Sequence, residues 1–128
     1  MMTVLPARIV LEGWQPDRRL SLNGRARGDG ANHWATRSKL TADAKALVFT
    51  GCWLKMRRFT RARVTITFVY PNKRRRDPDG LAGLVKPILD GMVAAEILPD
   101  DDCEHIELTL RARVEPGRTA TEIELESI

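Results

Sequence analysis

Cysteine is scarce here: Cys52 and Cys103 are the only two in 128 residues. Their number and separation exclude a disulfide framework or a zinc site, so both are expected as reduced, partly buried thiols. Histidine is equally rare, and His33 and His105 stand isolated, as ordinary polar residues. No apolar run approaches the roughly 18 residues a membrane span needs, so no membrane partner is expected. Pro6 and Arg8 interrupt Met1–Leu11, which therefore lacks the apolar stretch of a secretory signal. Reduced thiols and no export signal lead to the cytoplasm as the expected location.

Acidic residues are also missing where they would be most noticed. From Leu54 to Arg76 there are nine cations and no carboxylate. Residues 1–76 hold 17 Lys and Arg against 4 Asp and Glu, a balance of +13; residues 77–128 hold 4 against 13, a balance of −9. The net +4 hides this asymmetry. A basic block of this kind favours a polyanion, with nucleic acid first among candidates, against the plainer reading of a solubilising surface.

The chain suits one domain, residues 1–128, with 43% apolar content and no internal repeat. Arg8–Trp14 reads as a short strand, and Gln15–Asn32, rich in Gly, Arg, Asn and Asp, as a long exposed loop. Thr41 suits the N-cap of a helix through Ala42–Leu54, with Gly51 weakening its last turn. Ala62–Tyr70 alternates as a half-buried strand. Leu81–Ala95 has helical periodicity, which Pro87 is expected to kink or divide. His105–Val114 and Ala120–Glu126 read as strands joined by the Glu115–Arg118 turn into a C-terminal hairpin. The expected fold is α+β: a small single domain with two main helices packed on a mixed or antiparallel sheet.

The chemistry concentrates in Asn72–Leu84, "NKRRRDPDGLAGL", where Lys73, Arg74, Arg75 and Arg76 run into Asp77 and Asp79. With Asp79 as the helix N-cap, helical spacing brings Asp79, Lys86 and Asp90 to one face, within about 20°. Pro78 restrains the two carboxylates at a helix start, where free N–H groups already favour anions. The Asp100-Asp101-Asp102 turn could fold back beside them. Three clustered carboxylates repel one another unless a cation neutralises them, and a hard cation such as Mg²⁺ takes oxygen ligands. The plainer reading is a capping turn, a solvated acidic turn and an ordinary surface lysine.

The stretch "RRRDPDGLAGLVKPILDGMVAAEILPDDD" (74–102) resembles the RusA-type Holliday junction resolvases of bacteriophages and prophages. It shares a basic run, Asp-x-Asp, a lysine in the following helix, an aspartate four residues on, and an acidic turn after "GMV". "SLN" (21–23) resembles an N-terminal motif of that family, with Arg19-Leu20 where prolines often precede it. Gly80 stands where Asn is frequent, and the Asp-to-Lys spacing is about one helical turn longer than in the shortest members.

The resemblance implies a homodimeric endonuclease in the bacterial host cell, using Mg²⁺ or Mn²⁺ to nick branched DNA such as a four-way junction. It assigns Asp77, Asp79 and one of the Asp100–Asp102 run, best Asp101 by spacing from the lysine, as metal-binding catalytic residues, and Lys86 as the essential lysine. Lys73, Arg74, Arg75 and Arg76 would grip phosphates, with Arg25, Arg27, Arg37 and Lys39 as secondary contacts. Trp14, Trp34, Trp53 and Phe59 are candidates for stacking on bases, against packing in a core or interface. Two other readings compete: a phage DNA-binding protein without catalysis, and a Mg²⁺-dependent nucleotide hydrolase.

Overall fold

The computed structural model describes residues 6–20, 34–74 and 78–128, with the side chains of residues 34, 78 and 79 outside that description. Along the chain follow β1 (Arg8–Glu12), a 3₁₀ turn at Arg18–Leu20, α1 (Trp34–Cys52), β2 (Ala62–Tyr70), α2 (Pro78–Ala94), β3 (Ile106–Val114) and β4 (Ala120–Ser127). The fold is α+β, with both helices packed on a mixed four-stranded sheet of order β1-β4-β2-β3.

Burial explains that order. Val64, Ile66 and Phe68 of β2 turn to the helices, yet Thr67 and Val69 on the opposite face are buried too. A strand covered on both faces belongs in the middle of a sheet. β2 pairs parallel with β3 (Ala62↔Ile106 to Tyr70↔Val114) and antiparallel with β4 (Ala62↔Ser127 to Val69↔Ala120). The expected C-terminal hairpin is therefore not formed. β3 and β4 flank β2, and the Glu115–Thr119 connection steps over its end, roughly 10 Å for two strand spacings.

Gln15–Leu20 is likewise no exposed loop. Pro16 and Leu20 are buried, and the Gln15 amide donates to the carbonyls of Val69 (2.6 Å) and Ala120 (3.2 Å), tying this segment to the sheet. The rest of that expected loop, with Arg25, Arg27 and His33, lies outside the described residues.

α1 begins at Trp34, well before the expected cap at Thr41. Its early turns have an anchor that no local pattern reveals: the Arg37 guanidinium donates to the carbonyl of Arg19 at 2.6 Å and to that of Leu20 at 3.4 Å. At its end, Gly51 lets the helix lie against β1, where an added Cβ would sit 2.9 Å from Leu11 Cδ2. α2 is continuous through Pro87 rather than divided. The ring meets the carbonyl four residues back, that of Gly83, whose backbone freedom allows a local adjustment. The helices cross closely at Gly91, where a Cβ would stand 2.7 Å from Val48 Cβ and 2.8 Å from the Lys45 carbonyl oxygen. Around this crossing Val48, Ile88, Met92, Ile66 and Phe68 close the core.

Candidate functional site

α2 starts at Pro78, so Asp79 stands in its first turn rather than at its N-cap. Proline is at home at a helix start, where its missing N–H costs nothing. The apolar residues Leu81, Leu84, Val85, Ile88 and Leu89 face the core, which leaves Lys86 on the exposed side. Lys86 lies seven residues beyond Asp79, about 10 Å along the helix axis.

Lys86 is the point at which distant residues meet. Its Nζ is 2.6 Å from Asp101 Oδ2, fifteen residues ahead, and 3.1 Å from Asp90 Oδ1, one turn ahead. The Asp100–Asp102 turn thus folds back onto α2. The lysine pulls the Asp101 carboxyl below its ordinary value, and Asp101, then Asp90, raises Lys86 in return. Two carboxylates flank one ammonium, with the Asp101 side chain only 19% exposed.

The three aspartates of the turn have different tasks. Asp100 Oδ1 accepts the backbone N–H of Asp101. Asp102 Oδ1 accepts the N–H groups of Glu104 and His105 and stands 2.6 Å from His105 Nδ1, fastening the entry to β3. That contact with His105 is the leading cause of the lowered Asp102 pKa. Asp101 alone of the three is paired to the helix lysine. Asp90, expected on one face with Lys86 from its i,i+4 spacing but not assigned to the site, joins it through its contact with that lysine.

Asp77, Arg75 and Arg76, and the Asp79 side chain, lie outside the described residues. Among the described residues no three Asp, Glu, His or Cys side chains gather as a metal-binding group. Lys73 and Arg74 are exposed beyond the C-terminal end of β2, beside the start of α2. The expected basic block is not one patch. Lys55, Arg57, Arg58 and Arg61 lie exposed before β2, and a nine-residue strand spans about 30 Å. Arg63, within the strand, sits between Glu107 (3.3 Å) and Glu126 (3.2 Å). Arg37 is committed to the carbonyls before α1, and Lys39 is exposed.

The aromatic candidates separate as well. Phe59 is buried beneath the Arg57 guanidinium and Trp14 packs against the core. Trp53 is exposed and stacks on Phe49, with ring centroids 5.6 Å apart. The Trp34 side chain lies outside the described residues. Cys52 is buried, its thiol pushed up to about 11 by burial, whereas Cys103 is exposed, contrary to the partial burial expected for both. Comparison with protein-family models finds no match for this chain, and comparison with curated proteins finds none.

Proposed function

We propose that this chain is a metal-dependent endonuclease of the RusA type that nicks four-way DNA junctions. One observation supports this above the others: Lys86 and Asp101, which the motif assigns to one site, are joined at 2.6 Å despite their separation along the chain. That site lies on the exposed face of a helix whose first turn carries Asp79.

In this reading Asp77, Asp79 and Asp101 hold Mg²⁺ or Mn²⁺. The donor chemistry suits a hard cation, since Asp101 is an oxygen donor kept ionised by its lysine. When bound, the metal supplies Lewis acidity at the scissile phosphate and a more acidic water. Lys86 orients the nucleophile or neutralises a phosphate oxygen, and Asp90 fixes where its ammonium points. Lys73 and Arg74, at the end of β2 beside the start of α2, take neighbouring phosphates.

The test is nicking of a synthetic four-way junction, with and without Mg²⁺, by the wild type and by Asp77→Asn, Asp79→Asn and Asp101→Asn. The proposal expects metal-dependent nicking that each variant abolishes while junction binding persists. Binding without nicking by the wild type would favour a non-catalytic DNA-binding protein. Nicking that survives all three substitutions would place the chemistry elsewhere.

A further inference from the structure

Two large apolar side chains stand in solvent where α1 ends, and core packing accounts for neither. Trp53 is 46% and Leu54 61% exposed. Leu54 also has φ 61°, in the left-handed region that favours glycine and that a leucine adopts only at a cost. Strain of this kind clusters at ligand-binding surfaces. The pair is held in place from both sides. Trp53 N–H donates to the Phe49 carbonyl (2.8 Å), and the N–H groups of Lys55 and Met56 both donate to the Cys52 carbonyl (2.9 and 3.2 Å). Cys52 and Met56 are themselves buried. The indole is stacked on the Phe49 ring at an interplanar angle of 17°, which takes one of its faces and fixes its orientation.

The chain that follows is cationic. Lys55, Arg57 and Arg61 are exposed, and among the described residues none of the three has an ion pair, whereas Arg58 meets Glu96 at 3.1 Å. Arg57 is no more than about 14 Å from Trp53, the reach of four extended residues. Its guanidinium is set over the Phe59 ring, 4.7 Å from the centroid. Phe59 N–H donates to the Ile97 carbonyl (2.8 Å) and Ala62 N–H to the His105 carbonyl (2.9 Å). This segment therefore lies at the end of the sheet reached by the turn that carries Asp101. Lys73 and Arg74 follow the other end of β2, about 30 Å away.

We infer that this platform binds an unpaired strand of nucleic acid, one base stacking on the free face of Trp53 while phosphates meet Lys55, Arg57 and Arg61. A fixed aromatic face beside unpaired cations is the combination that holds single strands without reading their sequence. Duplex fits it less well, because paired bases already stack on one another and present only their edges in the grooves. An acidic protein segment would satisfy the cations but brings no ring to the indole. The nuclease reading gives no task to this surface. Its binding is measured without metal, so either inference can fail while the other stands.

The test is fluorescence anisotropy of a labelled fifteen-nucleotide oligothymidylate in buffer lacking Mg²⁺. Trp53→Ala should weaken binding at least about fivefold, the lower end of what one stacked base contributes. Trp53→Phe should restore most of that loss, and circular dichroism should be unchanged in both, since the side chain is half exposed. A duplex of the same length should be indifferent to Trp53→Ala. Lys55→Gln and Arg61→Gln should each reduce the slope of log K against log salt by about 0.7. Oligouridylate of equal length distinguishes RNA from DNA as the source, and a Trp53-dependent affinity for either supports the platform. No binding of either strand by the wild type, equal affinity after Trp53→Ala, or an equal loss for strand and duplex would each overturn it. So would salt slopes that neither cation variant changes, or polyglutamate binding as tightly as the strand.

Discussion

Replacing Lys86 by methionine separates a structural salt bridge from a working site, because the two readings differ in magnitude. Methionine keeps the length and helix preference of lysine and removes only the ammonium. The Lys86 side chain is 64% exposed, so each of its ion pairs is worth no more than about 0.2–1 kcal/mol. Removal also leaves Asp90 and Asp101 facing one another, their oxygens at most 5.7 Å apart if the two contacts (2.6 and 3.1 Å) lie in line. Their repulsion there is roughly 0.7 kcal/mol in water and about 3 kcal/mol at an effective dielectric of 20, before either side chain rotates away. A total near 1–2 kcal/mol follows, or a fall of about 4–10 °C in Tm. A domain with an ordinary reserve of about 5–15 kcal/mol remains folded at 25 °C. Loss of a group that stabilises charge at the reacting phosphate costs roughly a hundredfold to a thousandfold in rate. Melting curves and junction nicking on the same preparations check this. A Lys86→Met protein that melts within the stated range yet nicks at one third or more of the wild-type rate would refute a catalytic lysine.

Gly91→Ala should destabilise the fold by up to about 2 kcal/mol in urea unfolding, since its Cβ meets the backbone and Cβ of α1, and overpacking of about 1–3 kcal/mol outweighs a helix-propensity gain near 1 kcal/mol. Gly51→Ala, whose Cβ meets only the movable end of Leu11, should be close to neutral; equal losses at both positions would contradict the close helix crossing. The Glu122 carboxylate lies 2.7 Å from Arg113 and 3.3 Å from Arg118, and its hydrogen bond to Arg113 holds its pKa below 4.5. A depressed carboxylate contributes stability that is complete above its unfolded value and lost as pH falls through the folded one. Wild-type stability should therefore decline below about pH 4.5. Glu122→Gln should be less stable at pH 7 and show a shallower acid slope in denaturation midpoints; parallel slopes would remove Glu122 from the cause.

How much of this was legible depends on how far apart the cooperating groups lie. The β2 boundaries, Ala62–Tyr70, follow from local alternation and match the strand as folded. The start of α1 does not, because Arg37 is anchored by carbonyls before the helix that no window of neighbouring residues contains. The hairpin expectation failed for a related reason. Turn signals report only that the chain reverses, while strand order was decided by β2, whose Val69 is buried on the face that alternation would leave polar. The site was partly readable because helical spacing brings Asp90 to Lys86, but folding back of the Asp100–Asp102 turn required coordinates.

Charge was the most misleading signal when counted along the chain. The basic first part and acidic second part suggest two opposed surfaces. In the fold some of those charges answer one another: Arg8 meets Glu122, Arg58 meets Glu96, and Arg63 sits between Glu107 and Glu126. Part of the asymmetry is thus taken up in ion pairs, those of Arg8 and Arg63 between neighbouring strands of the sheet, and pairs of this kind do little for affinity toward phosphate. What distinguishes a cation available to a polyanion is an exposed head and no nearby carboxylate. Lys73 has an exposed side chain, and it stands just beyond the C-terminal end of β2, in the segment that leads to α2. The case for a phosphate-binding surface therefore rests on where a few cations lie relative to α2, and not on the excess of lysine and arginine in the first part of the chain.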